Sequence, residues 1–167
     1  ILDMELYAPA KTMEANDCQH HRIDEALKAG GAAVEAKAVI ETLPGMFPLA
    51  CSPRLNDLFV ENIKEYFPET KIEDAGHFTA STDMGDISHL MPSIHPFIGG
   101  VDGGLHTKDF CVTDFDAAAI LPGKVFAMNI IDLLYDEAAM AKEILEKEKP
   151  ILTKEEYLAK LESYFQS

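Results

Sequence analysis

The chain has 167 residues, 47% of them hydrophobic, which is enough for a buried core in one domain or in a domain plus part of another. Its 29 acidic residues against 14 basic ones give a formal net charge of −15 at pH 7. Such a charge repels phosphate backbones and anionic lipid, which argues against nucleic acid and membranes as partners. Small molecules, metal cations and protein surfaces remain as candidate binding partners.

The cysteines and the apolar runs indicate a cytoplasmic protein. Three cysteines, Cys18, Cys51 and Cys111, are odd in number and have no C-x-x-C spacing, so neither a disulfide framework nor a thiolate zinc site is indicated. No apolar run approaches the roughly 20 residues that span a bilayer, and no basic n-region followed by an apolar h-region occurs. We therefore expect a protein of the reducing cytoplasm with no membrane partner.

Residues 1–43 predict a β-α-β unit. The opening "ILDMELY" alternates apolar and polar residues as a strand does, and "VEAKAVIETL" (34–43) alternates again. Between them, Thr12 is a suitable N-cap for a helix that ends near Gly30-Gly31. Because the sequence lacks an initiator Met and starts inside a strand pattern, we interpret it as a piece of a longer protein.

The Pro-rich "PGMFPLACSP" predicts a domain boundary, so we divide the chain into 1–46 and 47–167. Ser52 and Pro53 then favour a helix start, followed by an apolar stripe of Leu55, Leu58, Phe59, Ile63 and Phe67. Short strands are predicted near 71–75 and 93–99. The remaining helices are expected at 116–134 with a kink at Pro122-Gly123, at 137–148, and at 154–165 behind a capping box of Thr153 and Glu156.

The segment "STDMGDISHLMPSIHPFIGGVDGGLHTKDF" (81–110) contains three of the six histidines. A single loop histidine is more often structural than a ligand, but His106 follows a glycine-rich stretch and precedes a helix, where a loop can deliver a ligand to a cleft. His89 and His95 have no spacing for a shared metal, so structural and substrate-contacting roles both stay open. For Asp83, a turn-capping role is the alternative to substrate contact.

Several motifs in order resemble one family. "STDMGDISHLMPSIHP", a glycine-rich gap and "LHTKDF" are similar to the C-terminal signature of metal-dependent amidohydrolases, which include aminoacylases, carboxypeptidase G, auxin-conjugate hydrolases and p-aminobenzoyl-glutamate hydrolases. "DMELYAPAKT", "LPGMFPL" and "LTKEEYLAKL" are similar to that family's entry into the lid, return to the catalytic domain and terminal helix. The resemblance therefore covers essentially the whole chain.

The resemblance implies an α/β (α+β) chain: residues 1–46 as half of a ferredoxin-like lid, and 47–167 as the C-terminal part of a zinc-peptidase-like catalytic domain. In the family, one or two divalent ions, Zn or Mn, activate water to hydrolyse the amide bond of an N-acyl or aminobenzoyl amino acid or a small peptide. His106 matches the last metal ligand, and we assign substrate contacts to Ser81, Asp83, His89 and His95. The other ligands and the general base would precede Ile1.

One departure concerns Pro9, in "LYAPAKT", where relatives often have an arginine that can grip a carboxylate. The alternative hypothesis is accordingly a non-catalytic, degenerate subunit or assembly module that keeps the fold. For this chain alone we expect no hydrolysis and no tightly bound metal. We also expect a homodimer through residues 1–43, since a two-stranded unit leaves open edges.

Overall fold

The computed structural model describes residues 1–8, 10–74, 76 and 81–165. Within them the fold is mixed α+β with helix predominating, which confirms the coarse fold class. The elements in chain order are α1 (Met13–Ala33), α2 (Pro53–Tyr66), α3 (Met84–Leu90), β1 (Val101–Asp102), β2 (Cys111–Val112), a π-helical turn (Asp116–Ile120), α4 (Leu121–Lys147) and α5 (Lys154–Tyr164).

The predicted β-α-β unit is wrong in its strands. Of residues 1–43, only α1 forms a regular element, and the described residues at 1–8 and 34–43 lie outside helix and strand. A strand requires a neighbour for its backbone groups, and alternation alone does not supply one. The alternating side chains stay in solvent, with Leu2 80% and Leu6 53% exposed.

Two other predicted strands are absent as well. Residues 71–74 and 93–99 adopt neither helix nor strand, and Ala75 lies outside the described part of the chain. The only sheet in the described residues is the β1–β2 pair, with Val101 opposite Val112. The alternation of apolar and polar residues in short segments therefore did not identify β1 and β2. Each of these strands is only two residues long, and together they flank a loop.

Helix α1 begins as predicted, since the Thr12 hydroxyl accepts a hydrogen bond from Ala15 N at 3.2 Å. It continues past Gly30 and ends at Ala33, after which Glu35 takes the left-handed conformation with φ 56°. Ala36 N then donates to Gly31 O at 2.9 Å, closing the helix end. The helix thus runs two to three residues beyond the predicted end at Gly30-Gly31.

The chain divides into two compact units. The first comprises Ile1–Ala50, Ala75–Met91 and Pro150–Ser167, and the second comprises Cys51–Asp74 and Pro92–Lys149. Both units are assembled from segments distant in sequence. The predicted boundary between a lid and a catalytic domain, at 46/47, stays a prediction.

In the second unit, α2 packs against α4. Ser52 caps α2 by accepting from Leu55 N at 3.1 Å, with Pro53 in the first turn, as predicted. Phe59, Ile63 and Val125 form the core cluster. The partly buried residues packed against it are Phe67, Ile94, Ile98 and Leu121.

Helix α4 is interrupted, but not where its proline predicts. Pro122 directly follows the π-helical turn, and Pro122 and Gly123 are not among the non-helical residues of α4, so the helix does not break at the predicted position. The non-helical residues are Tyr135, with ψ 153°, and Asp136 to Ala138, with positive φ. This break falls between the two separate helices predicted at 116–134 and 137–148.

Together with the π-helical turn, α4 forms a 32-residue helical stretch, Asp116–Lys147, with a mean hydropathy of 1.6. By length and composition alone it qualifies as a membrane span. The sequence expectation that no apolar run is long enough to span a bilayer did not anticipate this helix, which carries charged residues such as Lys124 and Asp132. Val125 and Asn129 are nevertheless buried against the protein.

In the first unit, α5 begins with the predicted capping box. The Thr153 hydroxyl accepts from Glu156 N at 3.2 Å, and the Glu156 carboxylate accepts from Thr153 N at 2.8 Å. Helix α5 is tied to α1 through Asp17, which accepts from Lys160 Nζ at 2.6 Å and from the Tyr164 hydroxyl at 2.9 Å.

Candidate functional site

His106 lies in a loop, residues 103–110, between β1 and β2, which we call the His106 loop. The loop begins at Gly103, which has φ 86° and whose N–H donates to Asp102 Oδ1 at 2.8 Å. A Cβ at this position would lie 2.4 Å from Asp109 O. Glycine is therefore required there by conformation and by the close approach of the backbone.

The His106 side chain is exposed, and its backbone has φ 60°. Non-glycine residues are uncommon in this left-handed region, where L side chains crowd the backbone. The surrounding stretch uses glycine at several positions, yet the left-handed position 106 carries an imidazole. Histidine adopts this region more often than most non-glycine residues, so the conformation fixes where the imidazole stands and does not by itself assign its role.

The base of the hairpin is fastened to the following helix. Gly100, with φ 83°, has a carbonyl that accepts from Thr113 N at 2.9 Å and Asp114 N at 3.0 Å. Asp114 Oδ1 in turn accepts from Ala117 N at 3.0 Å, at the start of the π-helical turn. The His106 loop is therefore tied at its base to the start of the following helix.

A complete metal site needs more than His106. Catalytic zinc is held by about three protein ligands, and no group of three His, Cys, Asp or Glu side chains suited to a metal occurs among the described residues. His106 can supply one imidazole ligand, but these residues do not by themselves fit a closed site.

His95 belongs to the same unit as His106 and is half-buried. Its ring stacks on Phe97, with centroids 5.6 Å apart and planes 8° apart. Stacking of this kind fixes the orientation of the imidazole and leaves its role open. Its assignment to substrate binding stays a prediction.

Ser81 and Asp83 lie in the first unit and are exposed. They precede α3, a helix that the sequence analysis did not predict in this Gly- and Pro-rich segment. Asp83 occupies the N-cap position with φ −53° and makes no side-chain capping hydrogen bond. The turn-capping alternative is therefore not realised in this conformation, and the substrate-binding role of both residues stays a prediction.

His89, also in the first unit, is only 5% exposed. Its Nδ1–H donates to Gly85 O at 2.9 Å, a direction that follows because a carbonyl only accepts. Its own carbonyl accepts from Leu152 N at 3.0 Å. These bonds give His89 a structural role, whereas the substrate contact assigned from the sequence stays untested.

The surroundings of His89 form a cluster that the sequence analysis missed, which we call the Phe47 cluster: Phe47, Gly85, Asp86, Ser88, His89 and Tyr157. The Phe47 ring is 2% exposed and lies edge-on to the rings of His89 and Tyr157, with both centroids at 5.3 Å. The Ser88 hydroxyl donates to Gly85 O at 2.6 Å and accepts from Ala50 N at 3.0 Å.

Tyr157 completes the Phe47 cluster from α5. Its hydroxyl donates to Asp86 Oδ1 at 3.1 Å. Burial raises the pKa of this phenol, and the neighbouring Asp86 charge raises it further. The sequence offered two signals for this cluster: Phe47 lies between two prolines, and Gly85 lies in a segment with several polar residues. Neither signal identifies the residue with which Phe47 or Gly85 is in contact.

The five predicted site residues are thus divided between the units: Ser81, Asp83 and His89 in the first, and His95 and His106 in the second. Pro9, where a carboxylate-binding arginine was expected, lies outside the described residues. Comparison with known proteins adds no family, since no family model, no curated protein and no solved structure matches this chain.

Proposed function

We propose that this chain is the C-terminal part of a metal-dependent amidohydrolase acting on an N-acyl or aminobenzoyl amino acid or a small peptide. Residues 1–46 would be half of a ferredoxin-like lid and 47–167 part of a zinc-peptidase-like catalytic domain. His106 would supply one ligand to a Zn or Mn ion. The enzyme would work in the cytoplasm as a homodimer, without nucleic acid or membrane partners.

The observation that carries the proposal is the setting of His106. An exposed imidazole stands at a left-handed position, on a hairpin fixed by Gly103 at one end and by Asp114 at the other. An exposed imidazole on a hydrogen-bonded hairpin suits a metal site whose other ligands come from elsewhere. The order of the motifs in 81–110 gives the same interpretation.

A second candidate function, a non-catalytic assembly module, is favoured by a different observation. The outward side of α4 carries apolar residues, with Ile130 55%, Ile131 65% and Leu134 64% exposed. Apolar surface of this kind suits a protein contact better than solvent. In this alternative His106 would have no ligand role.

The gene sequence upstream of Ile1 distinguishes the two functions. The enzyme requires a His-or-Cys-x-His or His-x-Asp motif followed by Glu-Glu, which would supply the remaining ligands and the general base. With these motifs present, the longer protein should hydrolyse N-acetyl amino acids and lose this activity with a chelator. An upstream sequence that lacks them would refute the enzyme and leave the assembly module.

A further inference from the structure

Helix α4 has an exposed apolar side, which we call the α4 face: Ile120, Ala127, Ile130, Ile131 and Leu134. Positions 120, 127, 131 and 134 are seven, four and three residues apart, and residues with this spacing share one side of a helix. Ile131 is 65% and Leu134 64% exposed. The described part of the chain therefore leaves the α4 face uncovered.

The opposite side of α4 already has its partner. Val125 is fully buried in the core cluster with Phe59 and Ile63 of α2. Asn129 Oδ1 accepts from Asn62 Nδ2 at 2.8 Å. Because α2 occupies this side, a further contact of this part of α4 has to form through the α4 face.

The α4 face carries no negative charge, although the chain has 29 acidic residues. Between Asp116 and Asp132 the only charged residue is Lys124. The Asp132 carboxylate accepts from Asn62 Nδ2 at 2.8 Å, so it is directed toward α2. Depletion of charged residues is typical of the centre of a protein interface. The net charge of a second copy opposes contact here only weakly, since physiological salt screens charges beyond about 8 Å.

The accessible surface of the chain is larger than its mass requires. It amounts to 12368 Å² for 18.4 kDa. Folded proteins of this mass expose about 8,200 Å², and two separate domains of half the mass would together expose about 9,900 Å². The surplus of at least about 2,500 Å² matches the area that each chain of a permanent dimer buries, about 1,000–2,500 Å². The chain thus has enough uncovered surface for a large interface.

We infer that the α4 face is a two-fold contact between two copies of this chain. A helix side with this spacing packs against another helix side of the same kind, and a second copy supplies one of equal length and pattern. Pairing of a patch with itself across a two-fold axis is the commonest arrangement in homo-oligomers. The inference rests on the second candidate function, the assembly module, and names its partner. The contact differs from the one expected through residues 1–43.

The test measures the oligomeric state by sedimentation velocity between about 1 and 200 μM, at about 0.15 M salt so that charge repulsion is screened. The starting chain should be a dimer in the upper part of this range. Ile131→Glu places a carboxylate in the contact twice, once from each copy, so the dissociation constant should rise by about 100-fold. Leu134→Glu, on the same side of α4, should have the same effect.

The matched control is Ile151→Glu, the same substitution at an isoleucine outside α4 that is 58% exposed. It should leave the dissociation constant unchanged. Leu6→Glu tests the contact expected through residues 1–43 and should also leave this dimer intact. All four replaced side chains are exposed in the single chain, so each variant should still fold, and thermal melts check that it unfolds cooperatively.

A starting chain that stays monomeric throughout the range would overturn the inference. A dimer that persists in Ile131→Glu and Leu134→Glu would contradict it as well, and loss of that dimer in Leu6→Glu would assign the contact to residues 1–43. Equal weakening by Ile131→Glu and Ile151→Glu would mean nonspecific association of apolar surface and would also refute the α4 face. The metal content of the longer protein tests the enzyme separately, so the two failures are distinguishable.

Discussion

Gly85 and Phe47 touch backbone to backbone: a Cβ built on Gly85 would lie 1.8 Å from the Phe47 carbonyl oxygen. No side chain fits this gap, so Gly85→Ala must push α3 away from the backbone of Phe47. We expect a loss of unfolding free energy of about 1–3 kcal/mol, the usual cost of overpacking, measured by urea denaturation.

The control for Gly85 is Gly30→Ala in α1, where nothing lies within 4 Å of the added Cβ. Alanine is the better helix former, so this variant should gain roughly 0.5–1 kcal/mol. Equal effects in the two variants would mean that the contact between Gly85 and Phe47 is absent in solution.

Asn62 is buried at 5% exposure and donates to Asn129 and Asp132 across the two helices. Asn62→Ala removes this donor and leaves the buried Asn129 oxygen without it. The expected cost is about 1–3 kcal/mol for the unsatisfied group and the lost hydrogen bonds. If Asn62→Ala loses no more unfolding free energy than an ordinary surface substitution such as Lys64→Ala, that result would contradict the hydrogen bonds from Asn62 to Asn129 and Asp132.

The contact between α1 and α5 should weaken in alkali. The hydrogen bond from Lys160 to Asp17 raises the pKa of Lys160, and burial followed by the hydrogen bond to Asp17 raises the pKa of Tyr164. Groups whose pKa is higher in the folded state stabilise fully below their unfolded values, near pH 10, and lose this contribution as pH rises further.

Thermal melts between pH 8 and 11.5 measure that effect, with Tyr164→Phe as the comparison. Because phenylalanine does not titrate, the variant should lose less stability across the alkaline range. An identical pH dependence in both proteins would show that Tyr164 does not contribute.

The capping box of α5 predicts that Thr153→Ala lowers stability by about 1 kcal/mol. Two hydrogen bonds from Thr153 also lower the pKa of Glu156, and the one from the Thr153 backbone N–H has a larger effect than the one from the Thr153 side chain. A depressed carboxyl pKa stabilises above its unfolded value, near pH 4, and this contribution disappears as pH falls through the folded value. Urea midpoints measured at pH 7 and pH 3 check both statements. The exposed control Thr113→Ala should leave both midpoints unchanged.

Local signals predicted local structure in this chain. The starts of α1, α2 and α5 were predicted because Thr12, Ser52 and Thr153 act through neighbouring backbone N–H groups. The strands of residues 1–43 were wrong because pairing depends on a partner that alternation does not specify. Helix α3 was missed because its seven residues are stabilised by groups that are distant in the sequence. For example, the backbone N–H of Ala50 donates to the Ser88 hydroxyl.

The candidate site was predictable to a similar degree. The glycines around His106 indicated an unusual backbone, but not that the histidine itself would be left-handed. His89 was singled out as a histidine in a segment with many glycines and two prolines, whereas its burial beside Phe47 depends on a contact 42 positions away in the chain. Sequence motifs identify such residue types, and only packing separates their roles.

The measurement that tests the central claim most directly is the metal content of the longer protein that carries this chain, determined by mass spectrometry after exhaustive dialysis. The account predicts at least one Zn or Mn per chain, a marked loss of bound metal in His106→Ala, and retention in His95→Ala. Equal metal content in the parent protein and His106→Ala, or no bound metal in either, would contradict the role of His106 as a ligand.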